Sequence, residues 1–173
     1  MRYYDALGLA PSLSLDAEDL KKRFYERSRQ WHPDRFSRAG AAEQEQALEM
    51  TAVLNDAFRT LRDPVSRAEY FLKENGVELG KAAPAELLEE VFELNMALEE
   101  LKGGDESARP QLLAARDRFQ GMLAGSDAGL AKLFGREMGP KVLDEIRAEL
   151  NRRRYIANLV REVEKVLNVQ PAN

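Results

Sequence analysis

The sequence has no cysteine and a single histidine, His32. The first absence excludes disulfides and any thiolate ligation of zinc or of an iron–sulfur cluster by this chain. One histidine leaves no donor set for a typical transition-metal site, so no metal and no cofactor is expected. There is no Gly-Lys-Ser/Thr phosphate loop and no Gly-x-Gly-x-x-Gly, so no nucleotide pocket is signalled. His32 and Asp34 lie two residues apart, but no serine or cysteine occupies a recognisable nucleophile turn, and catalysis by this chain is not expected. No apolar run nears the ~18 residues of a membrane span, and Met1-Arg2-Tyr3-Tyr4-Asp5 lacks the apolar stretch of a secretory signal. A reducing cytoplasm fits these absences. Glycine and proline are sparse, at 11 and 7 of 173 residues, and read as punctuation between periodic segments.

Those segments carry apolar residues at helical spacing, and none reads as a strand. The length allows one compact domain or two small ones. Net charge is −4, which argues against a general nucleic-acid binder. The average hides a division, however. Residues 21–31 hold five Lys or Arg against one Glu, whereas residues 86–100 hold six Glu and no Lys or Arg. Two patches of opposite sign in different halves point to two different partners. Arg152-Arg153-Arg154 reads as a solvated face on an acidic protein.

Residues 3–9 predict a short turn ending at Gly8, where a left-handed cap is tolerated. Asp16 is placed as an N-cap, with Asp19 at N3 and with Leu15 and Leu20 spaced for a hydrophobic staple. The helix that follows runs to Trp31. Leu20, Phe24, Ser28 and Trp31 share its inner face, and Lys21, Lys22, Tyr25 and Arg29 point away. Pro33 disfavours helical geometry at His32 and ends the helix there. A loop over 36–42 leads to a helix over 43–62 with Ala47, Met50/Thr51, Leu54, Phe58 and Leu61 on its apolar face. Leu20/Phe24 and Leu54/Phe58 are expected as facing layers of an antiparallel pair, which puts His32-Pro33-Asp34 at one tip. Asp63-Pro64 restarts a helix over 64–74. Further helices are expected over 84–102, 105–124 and 140–168, with a broken or short helix in the glycine-interrupted stretch 125–139. They form an antiparallel bundle of about three helices.

The segment 20–36 concentrates the chemistry. Proline limits the backbone choices of the tip. A carboxylate can accept paired hydrogen bonds from a partner arginine. The adjacent basic face can meet an acidic surface and speed encounter. This segment, together with Leu54-Asn55-Asp56-Ala57-Phe58-Arg59-Thr60-Leu61 and the opening Tyr3-Tyr4-Asp5-Ala6-Leu7-Gly8-Leu9, resembles a J-domain. J-domains are the co-chaperone modules that stimulate the ATPase of DnaK-type 70-kDa heat-shock chaperones. His32-Pro33-Asp34-Arg35-Phe36, then Leu61-Arg62-Asp63-Pro64-Val65-Ser66-Arg67-Ala68-Glu69-Tyr70-Phe71-Leu72, then an acidic helical unit of about 90 residues, is similar to the HscB branch.

That resemblance implies an all-α, L-shaped protein. A J-domain over 1–75, an antiparallel helical hairpin with short flanking helices, is followed by a linker over 76–83 and a three-helix bundle over 84–173. It implies a cytoplasmic co-chaperone of iron–sulfur cluster assembly, not an enzyme, and one that binds neither membrane nor nucleic acid. The partners are a DnaK/HscA-type chaperone and an IscU-type scaffold protein. His32, Pro33, Asp34, Lys21, Lys22, Arg29 and Arg35 would meet the chaperone. Leu88, Glu89, Phe92, Glu93, Met96 and Glu100 on one helix, with Tyr155 on the last, would meet the scaffold. The absence of a cysteine-bearing N-terminal extension points to a bacterial form. Periodicity alone leaves Leu88, Phe92 and Met96 open between bundle core and partner surface, although the apolar band on 84–102 is wider than one buried face needs. The alternative to scaffold delivery is a bundle that serves another client or holds copies of this chain in a weak homo-oligomer.

Overall fold

In the computed structural model, residues 2–168 are described. Every regular element among them is helical, and there is no strand. The chain divides into two compact units, Met1–Val77 and Glu78–Asn173. The expected bundle's last residues, 169–173, lie outside the described part, as does Met1.

The first unit contains α1 (Tyr3–Ala6), α2 (Ala17–Trp31), α3 (Ala41–Arg62) and α4 (Pro64–Glu74), with a 3-10 turn over Pro33–Phe36. Asp16 caps α2 by accepting the Asp19 amide at 2.8 Å, which satisfies one of the free N–H groups at a helix start. Leu20 and Leu54 are buried. Phe24 stacks on Phe58 with ring centroids 4.3 Å apart, and Thr51 reaches the Trp31 carbonyl at 3.2 Å. These pairings run in opposite directions along α2 and α3, so the two form the expected antiparallel hairpin. Gly8 has φ +65°, and a Cβ there would meet the Arg27 guanidinium at 2.6 Å. Arg23 closes the same corner by donating to the Gly8 carbonyl at 2.7 Å.

Behind the hairpin, α1 and α4 are joined by polar contacts. The Tyr3 amide donates to the Tyr70 hydroxyl at 2.9 Å, and the Tyr3 and Tyr70 rings stack at 4.7 Å. Tyr4 is buried and donates its hydroxyl proton to the Ser12 carbonyl at 2.7 Å. Burial pushes the Tyr4 phenol up to about 12, because a phenolate would lose its hydration there. Arg67 is buried beside it and donates to the Leu61 carbonyl at 3.2 Å. Burial lowers its pKa from the usual guanidinium value.

The second unit holds α5 (Leu88–Lys102), α6 (Arg109–Phe134) and α7 (Pro140–Leu167). Glu90 of α5 pairs with Arg118 of α6 at 3.4 Å. Asp127 of α6 pairs with Arg153 of α7 at 2.7 Å, and Arg136 with Glu145 at 2.8 Å. The order of the last two pairs makes the α6–α7 hairpin antiparallel. A core of Leu87, Val91, Leu94, Leu98, Leu112, Phe119, Ile156 and Val163 joins all three helices. Further along the α6–α7 pair, Leu130, Val142 and Ile146 are buried. The incoming segment is fastened to α7 there: Arg147 donates to the Glu78 carbonyl at 2.6 Å and Asn151 to the Ala82 carbonyl at 3.3 Å.

Two local expectations are corrected. Residues 125–139 do not form a broken helix, because α6 runs unbroken through Gly121, Gly125 and Gly129 to Phe134. Each glycine costs ~1 kcal/mol relative to alanine in a helix interior but does not end the helix. Gly121 and Gly125 lie on the solvent side, while Ser126 and Leu130 on the opposite side are buried. That burial outweighs the local cost. The helices expected from 84 and 105 instead begin with 3-10 turns, Ala85–Leu87 and Glu106–Ala108. The second turn is capped by Asp105, which accepts from the Ser107 amide at 3.1 Å; hydrogen bonds from Ser107 hold the Asp105 carboxyl below its usual range.

Candidate functional site

At the tip of the α2–α3 hairpin, His32 is extended (φ −60°, ψ 131°), the geometry that a following proline imposes. Pro33 then opens the 3-10 turn that carries Asp34 and Arg35. The Asp34 amide donates to His32 Nδ1 at 3.2 Å. Nδ1 is the acceptor in that bond. The Asp34 carboxylate lies 3.6 Å from the same Nδ1. The Asp34 side chain is 93% exposed, so both its oxygens are free to accept from a partner.

The tip is held from behind. The Trp31 and Phe36 rings stack at 5.8 Å across the turn. Gln44, in the first turn of α3, places Nε2 at 3.1 Å from the Phe36 carbonyl and 3.3 Å from those of Ser37 and Ala39. Arg35 donates back to the Arg29 carbonyl at 3.4 Å. Sequence periodicity passes over Gln44 and places Thr51 on the apolar face. The one signal available was their separation of two helical turns along α3, on the side that meets the end of α2 and the tip.

Lys21, Lys22 and Arg29 are exposed on α2. The Lys21 ammonium lies 6.0 Å from the centre of the Tyr25 ring, itself exposed. Glu26, Arg29, Gln30 and Arg35 line a shallow recess next to the tip. The structure thus brings all seven residues expected at the chaperone face onto α2 and its terminal turn.

The other expected set lies in the second unit. The wide apolar band of α5 splits into two faces. Val91, Leu94, Ala97, Leu98 and Leu101 are buried. Leu88, Phe92 and Met96 are exposed by 55%, 67% and 52%. Their spacing of four residues makes a stripe ~12 Å long on one side of the helix. They are not core. Glu89, Glu93 and Glu100 are exposed beside the stripe and, among the described residues, make no salt bridge. The other acids of the run are engaged: Glu86 with Arg152, Glu90 with Arg118 and Glu99 with Lys102. Tyr155 is half-buried and packs against the bundle core, so it stands apart in kind from the exposed stripe. Among the described residues no group of three or more His, Cys, Asp or Glu is arranged to hold a metal ion, and no helix is long and apolar enough to cross a membrane.

A helical hairpin with a fixed His-Pro-Asp turn at its tip and a basic face beside it defines the first unit as a J-domain, and the DnaJ domain family matches residues 2–70. The family described as HSCB C-terminal oligomerisation domain matches residues 83–164. A co-chaperone protein HscB homolog from Vibrio vulnificus is 32% identical over 170 residues, covering 96% of each chain. The solved structure of chaperone HscB from Vibrio cholerae superposes with a TM-score of 0.67 at 30% identity, covering 96% of this chain and 97% of that one. Human co-chaperone protein HscB shares the fold, with a TM-score of 0.61 at 23% identity over 95% of this chain and 81% of that one. The chain belongs to the HscB co-chaperone family, which is not an enzyme family.

Proposed function

We propose that this chain is an adaptor that stimulates the ATPase of a DnaK/HscA-type chaperone through its J-domain and delivers an IscU-type iron–sulfur cluster scaffold protein on its second unit. The observation that carries this reading is Asp34: a carboxylate 93% exposed on a turn whose backbone is fixed. It offers two acceptors to a partner guanidinium, which favours paired, charge-assisted bonds. His32 and Pro33 set its position. Lys21, Lys22, Arg29 and Arg35 steer an acidic chaperone surface toward it. Hydrolysis then takes place in the chaperone's own nucleotide pocket.

On the second unit, Leu88, Phe92 and Met96 supply an apolar contact, and the unpaired Glu89, Glu93 and Glu100 select a scaffold surface with basic groups around an apolar centre. Tyr155 is the α7 member of that surface. Carrying both sites on one chain raises the effective concentration of the scaffold at the chaperone. The test is chaperone ATPase turnover with the wild-type chain and with Asp34→Asn. The expected result is stimulation by the first and none by the second, with helical content equal. Equal stimulation by both chains rules the reading out.

A second reading has one observation in its favour, the match of residues 83–164 to a domain described as an oligomerisation domain. Here the α5 stripe meets another copy of this chain. Sedimentation of wild type and Phe92→Ala separates the two readings: a dimer lost in the variant supports self-association, and a monomer in both supports a foreign partner.

A further inference from the structure

We infer that Gln44 is a positioning residue for the His32-Pro33-Asp34 tip, acting through the carbonyls of the turn that follows it. This inference rests on the reading of the tip as a chaperone-docking site. The Asp34 side chain is almost fully exposed, so its direction is set by the backbone beneath it. Outside the bonds internal to the 3-10 turn, two backbone bonds tie it. The Arg35 amide donates to the His32 carbonyl at 2.9 Å, and the Ala39 amide to the Phe36 carbonyl at 3.0 Å.

Gln44 adds to these from α3. Its amide nitrogen carries two hydrogens and faces the carbonyls of Phe36, Ser37 and Ala39 at 3.1, 3.3 and 3.3 Å. Thr51, two turns further along, is the weaker tie. Its hydroxyl oxygen lies 2.8 Å from the Ala47 carbonyl and 3.2 Å from that of Trp31, so its one proton is directed mainly into its own helix. Beside the Trp31–Phe36 stack and the Ala39 amide bond, the downstream end of the tip is tied by one exposed side chain that composition and periodicity treat as ordinary surface.

The consequence is specific. Loss of the donors lets residues 36–39 sample more conformations and lowers the fraction of chains with Asp34 correctly aimed. A lower competent fraction raises the apparent dissociation constant and leaves the saturated effect unchanged. Removal of the carboxylate itself abolishes the effect at every concentration. A positioning residue and the residue it positions thus leave different kinetic signatures.

The test uses the full chain as wild type, Gln44→Met, Gln44→Lys and Asp34→Asn. Methionine keeps the length without donors or charge, and lysine restores a donor of similar reach. Two quantities are measured: amide hydrogen exchange of the free chain over residues 35–39, and ATPase turnover of a purified HscA-type chaperone across a range of chain concentrations. For Gln44→Met, faster exchange at Ala39 is expected, with a half-saturating concentration raised about five- to tenfold, an unchanged maximum and an unchanged melting temperature. Gln44→Lys restores both readouts. A raised half-saturating concentration without faster exchange overturns the inference, since Gln44 would then touch the chaperone directly. So does a lowered melting temperature with no rescue by lysine, which marks a general fold role. Stimulation lost in Asp34→Asn but untouched in Gln44→Met overturns the inference alone. Absence of stimulation by the wild-type chain overturns the docking reading and the inference together.

Discussion

The tip of the first unit and the stripe on α5 are both exposed, yet they are built by opposite means. The tip is a turn, and a turn needs fixing. Pro33 restricts it, His32 accepts the Asp34 amide, Trp31 stacks on Phe36, and Gln44 holds three of its carbonyls. The stripe is already on a helix, so Leu88, Phe92 and Met96 are aimed by helical geometry and by the buried side of α5 alone. A polar site on a loop recruits hydrogen bonds from several elements, whereas an apolar site on a helix only has to be left uncovered. The units behind them differ in the same way. The first buries Tyr4 and Arg67 within its core, and the core joining α5, α6 and α7 is made of apolar side chains.

The sharpest way to break this contrast is within α5. Leu94 and Phe92 are two residues apart, but Leu94 is 3% exposed and Phe92 67%. Leu94→Ala is expected to cost about 2–5 kcal/mol in urea unfolding, the usual range for emptying a core leucine site. Phe92→Ala should change stability by less than ~0.5 kcal/mol, as surface substitutions do. A large loss in Phe92→Ala would make the stripe core after all.

The next effect tests the polar core of the first unit. The Tyr4 pKa is raised to about 12 in the folded chain, against ~10 for a free phenol. A raised folded value means that the stabilisation is complete below pH 10 and is lost as pH rises toward 12. The loss is about 2–3 kcal/mol. Stability measured from pH 9 to 12 should fall less in Tyr4→Phe than in wild type by that amount, and parallel curves would remove Tyr4 from the explanation.

Binding comes third. Phe92→Ala should weaken association with an IscU-type scaffold protein by about tenfold or more, the effect of truncating a central aromatic anchor. Chaperone stimulation measured without scaffold should stay at the wild-type level. Titration calorimetry and ATPase turnover check the two halves.

The smallest effect concerns α6. Gly125 is exposed within the helix, with nothing within 4 Å of an added Cβ. Gly125→Ala should therefore stabilise the second unit by about 0.5–1 kcal/mol in thermal unfolding. Destabilisation would mean that the helix needs glycine there.

What was legible in the sequence follows the same division. The ends of α2 and α4 were readable because caps and prolines act locally: Asp16, Pro33 and Asp63-Pro64 each fix their own backbone. The facing layers of the first hairpin were readable because Phe24 and Phe58 sit at regular helical spacing. The continuity of α6 was not, because three glycines weaken a helix locally while its survival depends on burial against α7. Nor could periodicity decide whether Phe92 was inside or outside, since burial depends on which helices pack against which side. Gln44 escaped notice because a glutamine in a first turn has no pattern until the turn it reaches is in place.

The central claim is that one chain must carry both sites. It is tested most directly by chaperone ATPase turnover in the presence of the scaffold protein, comparing wild type with an equimolar mixture of full-length Asp34→Asn and Phe92→Ala chains. The mixture contains an intact tip and an intact stripe, but never on the same molecule. The expected result is turnover no higher than with Phe92→Ala alone, well below wild type. A mixture that matches wild type would contradict the claim.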